Sequence, residues 1–69
     1  MTDTKLLVSA IRDQGLKMQY VAKQLGLSRQ GLHNKINNSS AFTAPEIEKL
    51  CEILNITRLT DKEKIFFSK

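Results

Sequence analysis

Sixty-nine residues allow one small domain with a modest core, and a single Cys and a single His exclude both a disulfide framework and a zinc site built within one chain. No apolar run reaches membrane-spanning length and the N-terminus carries no signal-peptide pattern, so the expectation is a cytoplasmic protein with no membrane partner. The net charge of +4 is unevenly spread: residues 1–40 hold Lys5, Arg12, Lys17, Lys23, Arg29 and Lys35 against Asp3 and Asp13, residues 41–69 are balanced, and no acid occurs from Gln14 through Pro45.

A first helix is predicted over about Asp3 to Gln14, with Leu6, Leu7, Ala10 and Ile11 on one face at helical spacing. Gly15 stops it as a left-handed cap. A second runs from about Met18 to Leu25, burying Val21, Ala22 and Leu25, and ends at Gly26. A third covers about residues 29–37. It starts after Ser28, whose hydroxyl can accept from first-turn amides, and Leu27 and Leu32 staple its entry. Ala22 is small where the second and third helices meet, and Gly31 is read as allowing close approach on the other side. Asn37-Asn38-Ser39-Ser40 forms a polar loop.

The fourth helix begins at Thr43. Thr43 and Glu46 make a capping box, Phe42 and Ile47 a second staple, and Pro45 sits in the first turn, where its missing amide would be unpaired anyway. Ile47, Leu50, Cys51 and Leu54 form the buried stripe, and Asn55 can end the helix. Thr60 and Glu63 offer another capping box for a short fifth helix over about residues 61–67. The expected fold is an all-α, compact four- to five-helix bundle, with residues 1–69 as a single helix-turn-helix domain.

The third helix carries the chemistry. Leu32 and Ile36 are its thin apolar stripe, and Arg29, Gln30, His33 and Asn34 are left as candidates for reading bases. Arg can grip guanine O6 and N7, and Gln or Asn can pair with adenine N6 and N7. Lys17, Gln19, Lys23, Lys35, Asn37, Asn38 and Ser39 are candidates for phosphate contact. The acid-free window contains the whole motif, which suits a polyanion. Tyr20 is expected to be partly buried on its helix, and Cys51 to be a small core residue. Ile65, Phe66 and Phe67 either close the core or form an interface between chains. Nothing in the sequence supplies an enzyme's nucleophile and base, a metal set or a phosphate-binding glycine loop, so neither an enzyme nor a cofactor is expected.

Val21-Ala22, Leu25-Gly26-Leu27-Ser28-Arg29 and Leu32 with Ile36 resemble the Cro/C1-type helix-turn-helix family, the lambda-repressor-like fold of phage repressors and their bacterial relatives. The resemblance extends through Gln14-Gly15-Leu16 and from Phe42 to Ile56. Two positions depart from it. Met18 stands where many members carry Gln, with Gln19 following, and Ile36 lies four residues after Leu32 rather than three, which rotates the helix slightly. The resemblance implies a small Cro-like transcription regulator of bacteriophage or prophage origin. It would bind a double-stranded DNA operator with its third helix in the major groove, as a homodimer on a palindromic site. The alternative from another class is an antirepressor or modulator that binds a partner repressor protein through the same domain.

Overall fold

Local capping chemistry sets the helix ends in the computed structural model, which describes residues 1–68. The helices are α1 (Thr4–Asp13), α2 (Met18–Gln24), α3 (Arg29–Ile36), α4 (Ala44–Leu54) and α5 (Leu59–Phe66), with no strand among the described residues. Asp3 caps α1 by accepting from the Leu6 amide, and Ser28 caps α3 by accepting from Gly31. Thr43 and Glu46 form the reciprocal box at the start of α4, with Pro45 in its first turn.

The first four helices stop in the same way. A residue with left-handed φ follows the last turn: Gly15 and Gly26 at 70°, Asn38 at 66° and Asn55 at 56°. The next amide then reaches back to a carbonyl of that turn, as in Leu16 to Ile11, Leu27 to Ala22, Ser39 to Asn34 and Ile56 to Cys51, over 2.8–3.2 Å. Gly26 matters most for the site. Its left-handed backbone turns the chain out of α2, so that two residues later Ser28 already caps α3.

Each helix contributes two or three side chains to one core. They are Leu7 and Ile11, Val21 and Ala22, Leu32 and Ile36, Leu50, Cys51 and Leu54, and finally Ile65 and Phe66. α2 packs on α3 and α4, and α1 on α3 and α5. Phe42 meets the edge of Phe66 at 5.9 Å between ring centroids, with the rings at 87°. Ile47, expected in the buried stripe of α4, is only partly buried against this cluster.

Several expectations change. Leu6 is exposed, because Leu7 and Ile11 take the core-facing positions of α1 and leave Leu6 at the rim of a groove shared with Ile56 and Ile65. Tyr20 is also exposed. Gly31 does not serve helix approach. A Cβ there would meet Ser28 Oγ at 3.2 Å and Leu27 Cβ at 3.9 Å, both within its own entry turn. α5 starts before the predicted box: Thr60 lies inside the helix, and Arg58 is the cap residue with no side-chain capping bond. Asp61 falls in the first turn, where its charge suits the free amides. Ile65 and Phe66 are 8% and 4% exposed in the chain's own core, so of the three candidate interface residues only Phe67 offers a surface.

Candidate nucleic-acid interface

The outer surface of α3 follows from its narrow stripe. Leu32 and Ile36 are buried at 1% and 2%, and they hold the helix against the core in the four-residue spacing. Arg29, Gln30 and His33 are exposed and line one shallow, open depression. Asn34 is half-buried, and its Oδ1 accepts from Gln30 Nε2 at 2.9 Å. That bond orients the Gln30 amide along the helix axis and leaves its carbonyl oxygen free to accept. The four candidate base readers therefore form one continuous polar surface, with Arg29 and Gln30 in the first turn and His33 and Asn34 in the second.

The candidate phosphate contacts divide into two groups. Lys17, Gln19, Lys23, Asn37 and Ser39 are exposed, with Lys17 at the start of α2, where it makes no side-chain capping bond. Lys35 and Asn38 already have partners. The Lys35 ammonium pairs with Glu46 Oε1, both side chains being 15% exposed. The same oxygen accepts from the Thr43 amide at 2.8 Å. Burial alone would raise the Glu46 carboxyl. The Lys35 ammonium and the Thr43 amide and hydroxyl outweigh it and hold the group below the usual carboxylate range. The Asn38 side-chain amide is bound at both ends to the backbone of Thr2.

The partners of Asn38 and Lys35 escaped the sequence reading. A left-handed Asn stop was available as a signal for Asn38, since Asn tolerates that conformation. Nothing local pointed to Thr2, which lies 36 residues away. Cys51 lies in the core as expected, and burial pushes its thiol up from the ordinary value, away from reactivity at neutral pH. No helix among the described residues is long and apolar enough to cross a membrane.

A short helix, a left-handed glycine turn and a serine-capped helix with a polar outer face define a helix-turn-helix module, the class of small DNA-binding regulators. Residues 8–60 match the model of the helix-turn-helix family HTH_3, and the chain belongs to this family of Cro/C1-like, XRE-type proteins. The family is one of DNA-binding regulators and not of enzymes. No curated protein and no solved structure matches the chain.

Proposed function

We propose that this chain is a sequence-specific transcription regulator of the phage Cro or repressor kind, which reads an operator with α3 in the major groove. The observation that carries this reading is the exposed Arg29–Gln30–His33 surface on a helix that buries only two side chains, within a window free of acids. Arg29 and Gln30 present the groups that distinguish base pairs from the groove. Asn34 orients Gln30. Lys17, Gln19, Lys23, Asn37 and Ser39 flank this surface in sequence and supply phosphate contacts that fix register.

Two copies on a palindromic operator would double the readout. Phe67 supports such pairing. It is 61% exposed beside a groove lined by Phe42, Ile47 and Phe66, to which no charged side chain contributes. The same groove favours the second reading, in which a partner repressor protein docks there. Selection of duplexes from a randomised pool tests the function. Enrichment of a two-fold symmetric site with half-sites about one helical turn apart supports a dimeric reader. Recovery of no preferred sequence refutes operator recognition.

A further inference from the structure

Contacts from the start of the chain converge on the C-terminal end of α3. The Thr2 amide donates to Asn38 Oδ1 and Asn38 Nδ2 donates to the Thr2 carbonyl, each at 2.9 Å. One side-chain amide thus closes on both polar groups of one backbone residue. Thr4 Oγ1 donates to the Ile36 carbonyl at 2.7 Å, occupying one of the acceptors that the last helical turn leaves open. Thr2 is 8% exposed, the one buried polar residue among those described. The next amide, of Asp3, donates to the Ile65 carbonyl of α5 at 2.6 Å. Residues 2–4 are therefore a strap between the end of α3 and α5.

We propose that Asn38 and Thr4 are positioning residues for DNA readout: through the strap they fix the direction in which α3 presents Gln30, His33 and Asn34. The proposal rests on α3 being the recognition helix. An eight-residue helix has little stability or directional memory of its own, so its attachments set its axis. Ser28 caps the N-terminal end; at the other end Ile36 is buried and Lys35 pairs with Glu46, and the strap adds the bonds that hold the last carbonyl and the residues after it. With the strap released the C-terminal end has more freedom, only the correctly directed fraction of molecules reads bases, and affinity for a specific site falls by that fraction. Contacts to phosphate tolerate such variation, so binding to arbitrary DNA is little changed. This reading takes Asn38 out of the set of phosphate contacts.

Asn38→Gly and Thr4→Val test the proposal. Glycine accepts the left-handed backbone at position 38, so Asn38→Gly keeps the helix stop while deleting both clasp bonds. Thr4→Val keeps the side-chain shape and deletes the bond to Ile36. The probes are a duplex that the wild-type chain selects from a randomised pool, and the unselected pool, both measured well below each variant's melting midpoint. Each variant is expected to bind the selected duplex about tenfold more weakly and the pool less than about twofold more weakly, with the salt dependence on the pool unchanged.

Should Asn38→Gly fail to fold, Thr4→Val alone decides. Wild-type preference for the selected duplex in every folded variant overturns the proposal. Equal weakening on both probes makes Asn38 a phosphate contact and also overturns it; its side chain is neutral, so the salt slope stays at the wild-type value in either case. A wild-type chain that enriches no sequence overturns the recognition-helix reading and the proposal with it. That failure is distinguishable because it appears before any variant is made.

Discussion

Replacing Phe66 by Ala should remove a large share of this protein's stability. Phe66 is 4% exposed, and its ring holds the edge contact with Phe42 that joins α5 to the segment before α4. Removing a buried phenyl ring costs about 3–5 kcal/mol, the larger values applying where neighbours cannot collapse into the space. A chain of 69 residues at roughly 0.05–0.15 kcal/mol per residue has about 3–10 kcal/mol in total. The substitution therefore removes about a third of the stability or more. At about 4–8 °C per kcal/mol for a domain of this size, the melting midpoint should fall by about 12 °C or more. Far-ultraviolet circular dichroism followed through heat and urea reads both quantities. Phe67→Ala is the internal comparison, since an exposed ring should change stability by less than about 0.5 kcal/mol. A Phe66→Ala midpoint within about 5 °C of wild type would refute the assignment of Phe66 to the monomer core, and would return the residue to the surface.

Three further outcomes are expected. Ala22→Leu should overpack the buried contact between α2 and α3, 2% exposed, and destabilise by about 1–3 kcal/mol; an unchanged urea midpoint would show that the space is not closed. Lys23→Ala should weaken binding to all duplexes alike and lower the slope of log affinity against log salt by about one, as read by titration in increasing salt. Glu46 is held below its ordinary value in the folded protein, so its contribution to stability is full above the unfolded-chain value and is lost as pH falls through the lower folded one. Urea midpoints taken downward from neutral pH should therefore fall in the acidic range, and Glu46→Gln should flatten that fall.

The parts of the fold that were legible in the sequence are those fixed by neighbours along the chain. Gly15, Gly26 and Asn55 stop helices because of their backbone freedom, and Ser28 and Thr43 start them because a side-chain oxygen lies within reach of free amides. The two-residue stripe of α3 and its exposed Arg29, Gln30 and His33 followed from helical spacing. What could not be read depends on distant partners. Lys35 looked free until α4 brought Glu46 beside it, and Asn38 until the strap closed on it. Ile65 and Phe66 could have faced inward or outward, and the packing of α5 on α1 decided it. The Thr60–Glu63 pattern misled because a capping box is a local preference, and α5 begins instead at Leu59.

The central claim is that α3 carries the sequence information. Comparing wild type with an Arg29→Ala, Gln30→Ala double variant, on a selected duplex and on a random pool at low salt, tests it most directly. The variant should stay folded, since both positions are exposed. It should lose about 2–5 kcal/mol on the selected duplex and much less on the pool, so that the preference collapses. A double variant that keeps the full wild-type preference would contradict the account and place readout elsewhere on the protein.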